Sequence, residues 1–187
     1  MKIYQFQTER TVIRSYRKND ANAVWKVMRH PYVYATTAFI AKDYPRWRVD
    51  VWMSCIERSI RNKTGYEFGM FDRLTGDYIG NVGLICVNDL NRSAYLTYFI
   101  DPSRWNLGYA TEGAEEMLRF AFGELDLHRV GGTCMSHNPA SRRVMEKCGL
   151  EFVGTVRGEL CKDGEFIDVD HFSLLKDDFI KTKGTVL

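Results

Sequence analysis

Apolar residues in this chain follow two different periods, and the switches between them mark the elements. Residues 11–16 (TVIRSY) are a short β-branched run that reads as a strand. Asn19 and Asp20 are candidate N-caps for a helix carrying Val24, Trp25, Val27 and Met28, which Pro31 ends. Residues 46–61 place Val49, Trp52, Met53, Ile56 and Ile60 at steps of three and four, so a second helix is expected there. The pattern then changes to strands. Residues 66–72 and 78–87 flank a Gly-containing turn and read as a hairpin, and residues 94–100 (AYLTYFI) form a third strand stopped by Asp101-Pro102. A helix over residues 111–125 carries Ala114, Met117, Leu118, Ala121, Phe122 and Leu125 on one stripe.

Residues 129–135 read as a strand. Asn138-Pro139 opens a further helix, and Gly149 sits where a C-terminal glycine belongs. Strands at 152–157 and 166–175 flank Lys162-Asp163-Gly164, a strong hairpin signal. The order β-α-α-β-β-β-α-β-α-β-β joins an antiparallel first half to βαβ crossovers in the second. That is an α+β class, neither doubly wound nor a barrel.

Composition narrows the function classes. The 187 residues suit one domain over 1–187 with a self-sufficient core. Lys plus Arg is 26 against 24 Asp plus Glu, which argues against a nucleic-acid partner. No apolar run spans a membrane, and residues 1–10 lack a secretory h-region, so a cytoplasmic protein is expected. The 5 cysteines are an odd number without a CxxC, as expected for reduced thiols. Cys134 and His137 make half a zinc-like motif with no second pair, so no metal is expected. Charge is uneven: residues 1–65 carry 13 Lys/Arg against 5 Asp/Glu, and residues 66–187 carry 13 against 19.

Two stretches carry chemistry. In FIDPSRWNLGYATE, residues 99–112, a strand enters a loop with small residues at Gly108 and Ala110, and a helix follows at once. The first N–H groups of a helix are unpaired and sit at the positive end of its dipole, so this loop suits a bulky anion. A tight turn needing small residues explains the same pattern. No P-loop and no GxGxxG occurs, which argues against ATP and a Rossmann dinucleotide. In NPASRRVMEKCGLEF, residues 138–152, Asn138 caps a helix and Ser141 lies one turn inside it.

Together these stretches resemble the GNAT superfamily of acetyl-CoA-dependent N-acetyltransferases, and most closely its RimJ/RimL-like branch of ribosomal-protein N-terminal acetylases. Trp105-Asn106-Leu107-Gly108-Tyr109-Ala110-Thr111-Glu112 is similar to that branch's diphosphate loop. Asn138-Pro139-Ala140-Ser141 with Gly149-Leu150 is similar to its later signature. The opening Thr8-Glu9-Arg10-Thr11-Val12-Ile13-Arg14 fits too, so the likeness runs through nearly the whole chain.

The resemblance implies a GNAT fold, with a mixed, mostly antiparallel sheet splayed at the acetyl-CoA site and flanked by helices. It implies pantetheine along Tyr98, Phe99, Ile100 and Asp101, and diphosphate on the N–H groups of Asn106 to Thr111. Asn138 and Ser141 would lie along the pantetheine arm, and Arg142 and Arg143 would be within reach of phosphates. Met145 stands where many relatives have the tyrosine that protonates the leaving thiolate, which makes Ser141 the implied donor, with Asn138 beside it. Tyr95 stands where the branch often has a glutamate, so the proton acceptor is open among Glu67, Glu159, Asp168 and His171. The implied acceptor is a primary amine, foremost a protein N-terminal α-amine. A polyamine or an aminoglycoside, a non-catalytic acyl-CoA-binding module and a ribosome-associated module are the alternatives, and a homodimer is left open.

Overall fold

The computed structural model describes residues 3–183. Its chain order is β1 (Gln5–Gln7), β2 (Thr11–Arg14), α1 (Ala21–Met28), α2 (Pro31–Thr36), α3 (Arg46–Arg61), β3 (Tyr66–Asp72), β4 (Tyr78–Asn88) and β5 (Ser93–Ile100), followed by α4 (Tyr109–Phe122), β6 (Arg129–Met135), α5 (Pro139–Lys147), β7 (Glu151–Lys162), β8 (Glu165–Leu175) and α6 (Lys176–Lys183). The strands form one sheet in the order β1-β2-β3-β4-β5-β6-β8-β7. Every neighbouring pair is antiparallel except β5 and β6. The α+β class with a mostly antiparallel sheet is therefore correct.

Some expected boundaries move, each for a local reason. Pro31 starts α2 as well as ending α1, because its fixed φ suits a first helical position. Helix α4 begins at Tyr109 rather than Thr111, since Gly108 takes φ 83° and caps it, and it ends at Phe122 before Gly123. Strand β7 runs past Arg157 to Lys162. A bulge absorbs the break at Gly158 (φ 63°), whose N–H donates to Asp168 at 2.8 Å. Strand β1 and helix α6 were not expected from the sequence.

Two apolar layers hold the sheet. Helix α4 packs on one face, where Phe68, Met70, Val82, Leu84, Met117 and Leu118 are buried. Gly113 lets it approach, because a Cβ there would meet the Met70 sulfur at 2.7 Å. On the other face α1, α2 and α3 bury Val24, Met28, Val33 and Val49 against Phe71 and Tyr78.

One feature of the register positions the site. β5 pairs with β6 only over Ser93↔Arg129, Ala94↔Val130 and Tyr95↔Gly131. Beyond Tyr95 the two strands part, and β6 continues its pairing with β8 as far as Met135. Parallel neighbours that stop pairing midway leave a fork along the inner edge of β5.

Candidate active site

Three elements converge on the fork: the end of β5, the loop into α4 and the start of α5. The loop is held by side chains. Asp101 accepts from the N–H of Ser103 at 2.9 Å and from its hydroxyl at 2.8 Å. The Trp105 indole donates to the Ile100 carbonyl at 2.9 Å, folding the loop back on the strand, while the side chain of Ile100 is buried. Asn106 and Gly108 take φ 61° and 83°, and the exposed Leu107 lies between them. The first intrahelical bond of α4 runs from the Glu112 N–H to the Gly108 carbonyl at 3.0 Å. The N–H groups of Tyr109, Ala110 and Thr111 therefore lie ahead of the helical ladder, at its positive end.

Arg10 locks this loop, a role its position in the sequence does not reveal. Its guanidinium donates to the Leu107 carbonyl at 2.8 Å and to Glu112 at 2.7 Å, and lies 4.5 Å from the centre of the Tyr109 ring. Glu112 also accepts from the Thr8 hydroxyl and from the Arg10 N–H. Burial pushes the Glu112 carboxyl up, but these hydrogen bonds and the Arg10 charge outweigh it and hold the group below its ordinary range.

Across the fork, Asn138 caps α5 by accepting from the Ser141 N–H at 3.1 Å, and its amide donates to the Thr36 carbonyl of α2 at 3.4 Å. The Ser141 hydroxyl lies 2.9 Å from the hydroxyl of Tyr98, which also donates to the Ser141 carbonyl at 3.0 Å. Burial pushes the Tyr98 phenol well up, so it stays protonated. A second hydroxyl thus sits beside Ser141, while the Met145 side chain is buried. Arg143 is exposed on α5. Arg142 is partly exposed, bonded to Glu146 at 2.9 Å and Asp170 at 3.3 Å, with its guanidinium 4.8 Å from the centre of the Phe152 ring.

The four candidate proton acceptors separate by partner. Glu159 and His171 bind each other at 2.5 Å, and Asp168 holds the bulged Gly158 backbone. Glu67 faces the other side of the sheet. It accepts from the Asn81 amide at 3.0 Å, and Asn81 in turn accepts from the Tyr16 hydroxyl at 2.7 Å. Burial pushes the Glu67 carboxyl above its ordinary range, against the lowering effect of Asn81. Phe99 lines the same side, its ring 6.1 Å from that of Trp52. The side between α2 and the β7–β8 turn is closed by Lys162, which donates to the Tyr34 and Thr37 carbonyls, and by Asp163, which accepts from the Tyr34 hydroxyl. Among the described residues no three of His, Cys, Asp or Glu cluster as metal ligands, and no helix is long and apolar enough to cross a membrane.

The acetyltransferase (GNAT) domain family model matches residues 10–151. YoaA, an uncharacterized N-acetyltransferase of Bacillus subtilis (strain 168), is 26% identical over 180 residues, spanning 91% of this chain and 96% of YoaA. Among solved structures, RimL, a ribosomal L7/L12 alpha-N-protein acetyltransferase in complex with coenzyme A, superposes with a TM-score of 0.84 at 13% identity over 94% of this chain and 99% of RimL. The Vibrio cholerae spermidine N-acetyltransferase in complex with CoA and spermine does so with a TM-score of 0.80 at 21% identity, over 92% of this chain and 99% of its own. At such identities these two structures speak to the fold alone.

Proposed function

The chain belongs to the GNAT acetyltransferases and is an acetyl-CoA-dependent N-acetyltransferase; on that premise we propose that it acetylates a protein N-terminal α-amine by direct attack on the thioester. The observation that carries the reading of the site is the fork beyond Tyr95, which opens beside the unladdered N–H groups of α4. Pantetheine extends the sheet along Tyr98 to Asp101, where β6 no longer pairs with β5. The diphosphate meets the N–H groups from Asn106 to Thr111, where the helix dipole and the small Gly108 and Ala110 favour a bulky anion. Arg143 adds charge at the rim.

Chemistry in this site needs an amine, an oxyanion donor and a proton path. The neutral amine attacks the acetyl carbonyl carbon, and a backbone N–H in the fork holds the developing oxyanion. The C–S bond then breaks and sulfur leaves with the electron pair. Ser141, hydrogen-bonded to Tyr98 and positioned by Asn138, hands it a proton. Met145 is therefore compatible with turnover.

The acceptor side supports a singly charged amine over a polyamine. It is roofed by α1 to α3, which belong to a segment with 13 Lys/Arg against 5 Asp/Glu, a field that repels polycations. A thiol-release screen with acetyl-CoA against N-terminal peptides, polyamines and aminoglycosides tests this. Peptides should turn over fastest; preference for spermidine would replace the acceptor, and thiol release with none of them would leave only a CoA-binding module.

A further inference from the structure

The face of the sheet opposite α4 carries a polar set that the cofactor reading does not use. Register places Glu67 beside Gly83 and Gly83 beside Thr97, and in the next row Gly69 beside Asn81 and Asn81 beside Phe99. Residues paired across strands share a face, so these form one floor. Gly83 keeps it open between Glu67 and Thr97: a Cβ there would come within 2.4 Å of the Tyr66 carbonyl oxygen. Thr97 is two positions beyond Tyr95, where the fork begins. The row therefore leads from Glu67 to the fork across two strand spacings, about 10 Å between Cα atoms. A glutamate side chain, one water and an amine fill that span.

Aromatic side chains flank this floor. Trp52 of α3 lies 5.3 Å from the Tyr16 ring and 6.1 Å from Phe99. Such faces attract ammonium groups.

Charge completes the picture. Glu67 pairs with no cation among the described residues; its partner is the neutral amide of Asn81. The groups around it are the phenols of Tyr16 and Tyr78, both pushed up chiefly by burial, and more distantly the carboxyls of Asp20 and Asp101. Helix α3 turns Ile56 and Ile60 inward. A largely buried carboxylate without a counterion is costly, and a docked cation relieves the cost. Glu159, Asp168 and His171 offer no comparable vacancy, since each already has its own partner.

We propose that this face, with its polar floor and flanking aromatic rings, is the acceptor-ammonium site and that Glu67 takes, directly or through one water, the proton whose loss turns the docked primary ammonium into the attacking amine. The inference rests on the acetyl-transfer reading above. The balance is R–NH3+ plus acetyl-CoA giving R–NH–acetyl, CoA–SH and one H+. Glu67 takes the first proton and returns it to solvent. The N–C bond forms, the C–S bond breaks, and the second nitrogen proton leaves as the thiolate is protonated.

The experiment compares wild type, Glu67→Gln and Glu67→Asp in full-length protein, using thiol release with an N-terminal peptide and with spermidine, plus calorimetry with acetyl-CoA. At pH 7 Glu67→Gln should lose about 100-fold in kcat/KM for the better acceptor, within the range of general base catalysis. Acetyl-CoA affinity should stay unchanged, and Glu67→Asp should recover part of the loss. The deficit should shrink toward pH 9, where more of the acceptor is already neutral. A Glu67→Gln enzyme within about threefold of wild type at pH 7 overturns the assignment and leaves the transferase reading standing. A wild type that neither binds acetyl-CoA nor releases thiol overturns both.

Discussion

Replacing Arg10 by alanine should weaken coenzyme A binding as well as the fold. The guanidinium ties the Leu107 carbonyl and Glu112 together and covers Tyr109. The Arg10 side chain is 42% exposed and that of Glu112 15%, so solvent screens the pair. We take about 0.5–1 kcal/mol for the ion pair and a similar amount for the bond to the carbonyl. Glu112 keeps the Thr8 hydroxyl and the residue-10 N–H, so it is not left bare. The total loss is about 1–2 kcal/mol, or a fall in Tm of about 3–6 °C for a chain of this size. The loop itself suffers more, because Asn106 and Gly108 hold left-handed φ and lose their tether. If half of the lost energy was ordering the loop for its ligand, Kd for coenzyme A rises about two- to fivefold. Thermal unfolding and calorimetry on Arg10→Ala measure both. An unchanged Kd alongside the expected drop in Tm would refute the role of Arg10 in shaping the anion site.

Other expected outcomes follow from the same geometry. Gly108→Asp should abolish coenzyme A binding with the fold intact, since φ 83° costs a non-glycine residue about 1–2 kcal/mol and the carboxylate opposes the diphosphate; an unchanged Kd moves the diphosphate elsewhere. Ser141→Ala should lower kcat at least about 10-fold with the KM for acetyl-CoA unchanged, and a kcat within twofold reduces Ser141 to packing. Glu67→Gln should unfold above the wild-type Tm at pH 7 and match it at pH 4, since a raised carboxyl favours folding below its unfolded pKa and loses that contribution as pH rises through the folded one; a variant below wild type at pH 7 contradicts this. Asp72, Glu112, Asp126 and Asp170 carry the opposite sign, with carboxyls held below the ordinary range, so Tm should fall as pH drops below about 4. A Tm flat from pH 5 to pH 3 would contradict their contribution.

Local pattern made much of the fold legible. The three- and four-residue steps from Val49 to Ile60 define α3, which spans Arg46–Arg61 as read. The Asp-Gly turn and the Asn-Pro start place the β7–β8 hairpin and α5. Elements with little pattern of their own were missed. Strand β1 is 3 residues long and takes its stability from pairing with β2. Helix α2, PYVYAT, is rich in residues that favour strands, and it is helical because Val33 is buried beside α1. The side-chain networks were less legible still. Arg10 and Glu112 lie 102 positions apart, Tyr98 and Ser141 43, and Glu67 and Asn81 meet across a hairpin with nothing in either residue to mark the partner. Such contacts are set by sheet register and helix placement, which periodicity does not encode. The loop from Trp105 to Thr111 could be read because its small residues and helix start are contiguous.

The backbone amides of that loop report the central claim most directly. In 15N-labelled protein titrated with coenzyme A, the N–H resonances of Tyr109, Ala110 and Thr111 should shift downfield on taking a phosphate acceptor, with further changes along Tyr98 to Asp101. If coenzyme A binds while these amides stay still and shifts gather elsewhere, the fork is not the cofactor site.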